Sequence, residues 1–275
     1  MVEASSLVKY GALRLKDIAD RPFSEARLLL AYTINCSVSD IIVKSDLKIS
    51  QELEKKYKQY IEKRASAMPM AYITGKQEFY GLEFEVKQGV LIPRADTETL
   101  VEYILKQNIE TMLDICTGSG CIAIAAAVKN PNIKCTAVDL SETALDAAMA
   151  NAGKHGVNIE FIRADVLSCD FNLDKKFDMI VSNPPYIKTE DINGLMPDVK
   201  NYEPHLALDG GVSGLVFYEK ICELALLHLI RGGILAFEIG QGQDTEIAAI
   251  LGGHFKNIGT IPDLAGIKRV IYGEF

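Results

Sequence analysis

Asn183-Pro184-Pro185-Tyr186 carries the most legible chemistry in this chain. It follows an apolar run, Ile180-Val181-Ser182, that reads as a strand, and two consecutive prolines cannot continue a strand's hydrogen-bond ladder. The backbone carbonyls of Asn183 and Pro184 therefore lack a neighbouring N–H donor from this segment and are held stiffly. The Asn183 side chain adds another carbonyl oxygen, and Tyr186 adds a flat ring. Such a bracket of acceptors suits a planar group bearing two N–H donors, an amide or an exocyclic amine. Taken alone, the four residues are equally a proline-stiffened turn that caps a strand.

A second set of residues needs the same sheet edge. Leu113-Asp114-Ile115-Cys116-Thr117-Gly118-Ser119-Gly120 reads as a buried strand running into a glycine-rich turn, followed by a helix from Ile122 to Lys129. Glycines there permit a tight turn and let a ligand approach the backbone with no Cβ in the way. Dinucleotides, nucleotides and S-adenosylmethionine are all held by such loops, so the turn alone does not choose among them. Cys135-Thr136-Ala137-Val138-Asp139 then ends on a carboxylate about 20 residues further on, where it can accept both hydroxyls of a ribose or cap the helix that begins near Ser141. A third strand ends at Arg163-Ala164-Asp165-Val166: Asp165 could accept from an adenine amine while Val166 packs on the ring, although by itself Asp165 is only a loop aspartate. Ligands of open α/β sheets collect at the carboxyl ends of the strands. Glycine loop, ribose carboxylate, adenine carboxylate and amide bracket arrive in chain order, each at the end of a successive strand.

The elements that must position these residues follow from periodicity. Strands are expected at 111–116, 134–139, 158–163, 177–182, 233–239, 255–260 and 268–272, and helices at 120–129, 142–154, 214–230 and 243–252. That alternation predicts a doubly wound, mostly parallel seven-stranded α/β sheet over residues 93–275. Residues 1–68 repeat apolar positions at helical spacing, with Pro22 suited to a first turn and Ser50 to a cap, and predict a small helical bundle. Over residues 69–92 the period changes to two, in Ala71-Tyr72-Ile73-Thr74, Gln77–Tyr80 and Leu82–Val86, broken by Gly75, Gly81 and Gly89. A β-hairpin is expected there, linking the bundle to the sheet, and a helix should open near Asp96 or Thr97.

Composition narrows the class. No apolar run approaches the roughly 18 residues of a spanning helix, and Glu3 and Lys9 argue against a secretory signal. The six cysteines form no C-x-x-C pair and the four histidines share no ligand spacing, which favours free thiols in a cytoplasmic protein and no metal. The net charge of −8 is uneven: residues 1–75 hold 12 basic and 9 acidic side chains, whereas the remainder holds 17 and 28. A duplex-binding surface needs a basic stripe, so a protein partner is expected rather than nucleic acid.

With these residues in view, the chain resembles a class I S-adenosylmethionine-dependent methyltransferase, and more closely the protein-(glutamine-N5) methyltransferases of the HemK/PrmC type, which modify peptide chain release factors. The resemblance covers nearly the whole length. It includes Pro69 to Pro93, Arg94-Ala95-Asp96-Thr97-Glu98, the glycine loop, Asn183 to Ile187, Tyr202-Glu203-Pro204 with Ala207-Leu208, and Glu238-Ile239-Gly240. It implies a Rossmann-like sheet and methyl transfer from S-adenosyl-L-methionine, leaving S-adenosyl-L-homocysteine, to the glutamine amide of a Gly-Gly-Gln motif. The cofactor would lie on Cys116, Thr117, Gly118, Ser119, Gly120, Asp139, Asp165, Val166 and Asn183. The substrate would meet Asn183, Pro184, Pro185 and Tyr186, with Asn183, Pro184 and Tyr186 catalytic. The bundle would recognise the release factor, and the protein would act as a monomer. Two departures are visible: the family usually has glycine where this chain has Cys116, and Ala95 replaces a frequent proline. Arg94 and Glu203 flank the proposed site and could hold the substrate's backbone or each other, a plain structural salt bridge being the preferred reading. Adenine-N6 nucleic-acid methyltransferases share the Asn-Pro-Pro-Tyr bracket, and a cofactor-binding module without catalysis, with Cys116 as a first sign of decay, is the remaining alternative.

Overall fold

A computed structural model describes all residues, 1–275. The chain divides into two compact units, Met1–Gly75 with Met196–Tyr202, and Lys76–Leu195 with Glu203–Phe275.

In the first unit, β1 (Val2–Glu3) leads into α1 (Ala4–Leu15), α2 (Pro22–Ile34), α3 (Val38–Val43), β2 (Lys48–Ile49), α4 (Gln51–Ala65) and α5 (Met70–Thr74). Local sequence sets the ends. Pro22 opens α2, Asn35 closes it in a left-handed conformation, Ser37 and Asp40 form a capping box on α3, and the Ser50 hydroxyl accepts from Leu53 N. Leu7, Leu15, Leu29, Leu30, Tyr57 and Ile61 are wholly buried between the helices. The Tyr57 hydroxyl donates to Leu7 O and Ala26 O, so the one polar atom on that ring is satisfied inside the core.

The alternating stretch Ala71-Tyr72-Ile73-Thr74 is a correction: it is helical, not extended. Burial of Ala71 and Ile73 produces a two-residue period within a single helical turn, and five residues are too few to separate the two periods. Thr74 Oγ1 donates back to Met70 O, and Gly75 ends the turn at φ +74°. The hairpin itself is β3 (Lys76–Phe79) with β4 (Leu82–Glu85). Its two-residue loop, Tyr80-Gly81, has positive φ at both positions, which matches the right-handed twist of paired strands.

The second unit continues through α6 (Glu98–Leu105), β5 (Thr111–Ile115), α7 (Cys121–Lys129), β6 (Lys134–Asp139), α8 (Glu142–His155), β7 (Ile159–Arg163) and β8 (Phe177–Ser182). After α9 (Pro197–Tyr202), which belongs to the first unit, come α10 (Val216–His228), β9 (Leu229–Glu238), α11 (Asp244–Leu251), β10 (Lys256–Pro262) and β11 (Lys268–Glu274). All seven expected strands form one sheet in the order β10-β11-β9-β8-β5-β6-β7, with β11 antiparallel to both neighbours and the other pairs parallel. Alternate residues feed two cores. Met112, Met179 and Val181 pack under α6 and α7, while Leu113, Ile115 and Ile180 pack under α10 and α11. The chain leaves β5 toward β6 and β7, then returns to the other side of β5 as β8. The order therefore reverses at β5, and a crevice opens beyond the ends of β5 and β8.

Candidate active site

A cavity of about 290 Å³ lies at that reversal, and Cys116, Gly118, Asp139, Asp165, Val166 and Asn183 are all among its walls, with Pro185 beside them. Residues spread over 70 positions of sequence thus face one volume because each closes a parallel strand or the turn after it. The remaining expected residues lie behind these walls. Thr117 and Ser119 are buried in the loop, Gly120 starts α7, and Pro184 and Tyr186 back the bracket.

The glycine loop is held from below. Thr117 Oγ1 donates to Asp114 Oδ2 at 2.6 Å, Thr117 N donates to Val138 O, and Gly118 N donates to Asp139 Oδ2 at 2.8 Å. Burial raises the Asp114 carboxyl to about 7. Gly120 has φ +79°, and a Cβ there would sit 2.9 Å from Ile124 Cδ1 and 3.0 Å from Ala148 Cβ, so glycine is what lets α7 and α8 close on the turn. In front of Gly118, at φ +57°, a Cβ would meet nothing within 4 Å; that open space is where a ligand can reach the backbone. Asn151 was not singled out by sequence. It is fully buried on α8, accepts from Glu85 N at 2.7 Å, and donates to Glu85 O and Ser119 O, so one amide ties hairpin and loop together.

Cys116 adopts φ +60°, the left-handed region that favours glycine. Its side chain packs against the core under α10 and α11 while also contacting the cavity, and burial raises its thiol well above the ordinary range. The side chain is thus accommodated at a cost in backbone strain. Cys116→Gly is expected to leave the fold intact and to move stability by no more than about 1 kcal/mol, in the stabilising direction, since relief of roughly 1–2 kcal/mol of strain is partly offset by glycine's extra unfolded-state freedom. A denaturant midpoint that falls in this variant would contradict that assignment.

Asp139 does two structural tasks. Its Oδ2 accepts from Gly118 N and its Oδ1 from Ser141 N at 2.9 Å, while the cap of α8 is the Ser141 hydroxyl, which accepts from Ala144 N. Burial raises its pKa. Asp165 Oδ1 accepts from Leu167 N at 2.9 Å, a turn that presents Val166, 5 % exposed, to the cavity. Leu206, Ala207 and Phe217 complete the apolar walls. Leu206 has no sequence signal, because an apolar side chain in a single short turn carries no periodicity, and Phe217, inside the helix expected at 214–230, reads there as an ordinary packing position.

The bracket is braced on three sides. Ser182 Oγ donates to Ile115 O at 2.6 Å, tying the ends of β8 and β5. Asn183 Nδ2 donates to Thr97 Oγ1 at 3.2 Å, which leaves Oδ1 as the free end of the carboxamide. Beyond Tyr186, Ile187 N donates to Leu208 O and Gly210 N to Ile187 O, while Gln243 Nε2 donates to Tyr186 O. Burial pushes the Tyr186 phenol up to about 12. Arg94 pairs with Glu203, which also accepts from Ile92 N. A Cβ on Gly210 would come within 2.8 Å of both Pro185 O and Tyr186 Cα, atoms of backbone that cannot rotate aside. Gly210→Ala should therefore displace the bracket and cost about 1–3 kcal/mol of stability; an unchanged unfolding midpoint would show that the brace yields freely.

The sheet order, with its antiparallel strand beside the last crossover and a cavity beyond the reversal, defines a methyltransferase fold. A solved methyltransferase from Pyrococcus furiosus is similar to it with a TM-score of 0.56, covering 78 % of this chain and 98 % of that one at 19 % identity. Residues 94–200 match the methyltransferase small domain and residues 6–75 the PrmC N-terminal domain. This chain is similar to the release factor glutamine methyltransferases from Clostridium botulinum, 40 % identical over 95 % of each chain, and Koribacter versatilis, 37 % identical over 96 % of this chain and 95 % of that one. The chain belongs to the release factor glutamine methyltransferase family.

Proposed function

We propose that this protein transfers a methyl group from S-adenosyl-L-methionine to the side-chain amide nitrogen of the Gly-Gly-Gln glutamine in peptide chain release factors. The observation that carries this reading is the convergence of Gly118, Asp139, Asp165 and Asn183 on one cavity, with Asn183 and Pro185 of the proline-stiffened bracket among its walls. The donor set suits the cofactor: Asp139 can accept ribose hydroxyls, Asp165 can accept an adenine amine above Val166, and open space before Gly118 admits the rest. When bound, S-adenosylmethionine supplies an electrophilic methyl group on a positively charged sulfur.

The chain's own task is to make a poor nucleophile effective. A glutamine nitrogen has its lone pair delocalised into the carbonyl, and two acceptors on its N–H bonds return electron density to nitrogen and aim the lone pair. Asn183 Oδ1 and the Pro184 carbonyl are those acceptors, Pro185 walls the pocket, and Tyr186 keeps the amide plane in register. The nitrogen's surplus proton leaves to water, so no strong base is required before attack.

The N-terminal helices would recognise the release factor. Leu13, Phe23, Ile42 and Val43 on that unit are more than half exposed, which fits a surface that covers itself with another protein. The protein would act in the cytoplasm as a monomer, without direct nucleic-acid contact; no helix is long and apolar enough to cross a membrane. Mass spectrometry of purified release factor incubated with this protein and S-adenosylmethionine tests the proposal. One added methyl on the Gly-Gly-Gln glutamine is expected, and an unmodified glutamine under conditions where the cofactor binds would overturn it.

A further inference from the structure

Behind the bracket lies a buried carboxyl group that the reaction above does not use. Glu238, at the carboxyl end of β9, is 3 % exposed, and its Oε2 has no hydrogen-bond partner. Burial pushes its carboxyl up to about 7, opposed by the neighbouring Thr97 and Asn183 side chains, which favour its ionised form. The charged groups around it are Asp96 and Arg269, with the Tyr186 phenol, the Tyr218 phenol of α10 and the Cys121 thiol of α7 also within electrostatic reach. Arg269 is already shared between Asp96 and Asp263. Thr97 is 2 % exposed, and neither Thr97 nor Glu238 is a wall of the cavity.

The hydroxyl of Thr97 accepts from Asn183 Nδ2 and still has one hydrogen of its own to place. A carboxylate can only accept, so an ionised Glu238 beside Thr97 is an acceptor for that hydrogen and would set one direction for the series: amide to hydroxyl, hydroxyl to carboxylate. The direction matters because the two ends of a carboxamide are nearly equal in size, and packing alone does not choose between them. A reversed Asn183 would set its own NH2 against the NH2 of the target, donor against donor. We propose that Thr97 and Glu238 are positioning residues that hold the Asn183 carboxamide with its oxygen toward the cleft, and so select an amide donor as substrate. This rests on the reading of Asn183 as the substrate's acceptor.

The experiment compares wild type, Thr97→Val, Thr97→Ser and Glu238→Gln, measuring kcat and KM for release factor by mass spectrometry and S-adenosylmethionine affinity by calorimetry. Thr97→Val, nearly isosteric but unable to accept or donate, is expected to lower kcat about 10- to 100-fold with cofactor affinity within about twofold. Thr97→Ser restores most of that loss. In wild type, kcat declines on the acid side as Glu238 takes up a proton, and Glu238→Gln lacks that decline. A Thr97→Val enzyme as fast as wild type, a Thr97→Ser enzyme as slow as Thr97→Val, or an acid limb unchanged in Glu238→Gln would each overturn the proposal. A wild-type chain that leaves the release factor unmodified would bring down the functional reading as well, which separates the two failures.

Discussion

Replacing Asn183 with alanine is expected to slow methyl transfer to a release factor by about two orders of magnitude or more, the usual scale for losing a preorganised polar contact at the reacting atom. In the proposed mechanism the side chain holds one of the two acceptors, and its Nδ2 donates to Thr97, so truncation removes both that acceptor and the contact that holds it. The backbone acceptor at Pro184 stays, since Gln243 and the Ile187 bridge to Leu208 and Gly210 do not involve the lost atoms. Some rate should therefore survive, and S-adenosylmethionine binding should remain measurable, because Asn183 is one wall of the cavity among many. Single-turnover kinetics at saturating cofactor provide the check. A near-normal rate would remove Asn183 from the chemistry.

The second large effect is expected on binding rather than turnover. Asp139→Ala should weaken S-adenosylmethionine binding about 10- to 100-fold, as hydrogen bonds to a charged group contribute roughly 1.5–3 kcal/mol. The carboxylate accepts from Gly118 N and Ser141 N, so its loss also releases the glycine turn on which the cofactor is proposed to lie. Asp139→Asn separates the two contributions: it keeps one acceptor oxygen but sets an NH2 against a backbone N–H, and should fall between alanine and wild type. The pH dependence has a definite sign. Burial raises the Asp139 pKa, so protonation, and with it the loss of affinity, begins at higher pH than an ordinary aspartate would impose. Calorimetry across pH should show affinity falling on the acid side in wild type and a flatter profile in Asp139→Asn. Unchanged affinity in Asp139→Ala would reduce the carboxylate to a brace for the loop.

Much of this arrangement is legible in the sequence, for a physical reason. A parallel strand buried on both faces is a short apolar run, and the residue that ends it is polar or glycine, so strand and strand end are both written locally. Cys116, Asp139, Asp165 and Asn183 could each be placed at the same sheet edge on that basis. The glycine-favouring conformation at Cys116 accounts for why a side chain there stands out. What stayed hidden acts across the chain. Thr97 meets Asn183 from 86 positions away, Gln243 meets Tyr186 from 57, and Asn151 meets Glu85 from 66. A threonine that opens a helix or an asparagine within one has no periodicity to betray such a partner. The mistaken strand at 71–74 has the opposite origin: a local pattern was present, but one helical turn produces it as readily as a strand.

The Asn151 latch makes a quiet backbone amide into a reporter. Glu85 N–H is bound to Asn151 Oδ1, while the same side chain's nitrogen holds Ser119 O in the turn beneath the cavity. Ordering that turn with a ligand should slow deuterium uptake at Glu85, in a hairpin strand that lines no part of the cavity, and Asn151→Ala should abolish the slowing.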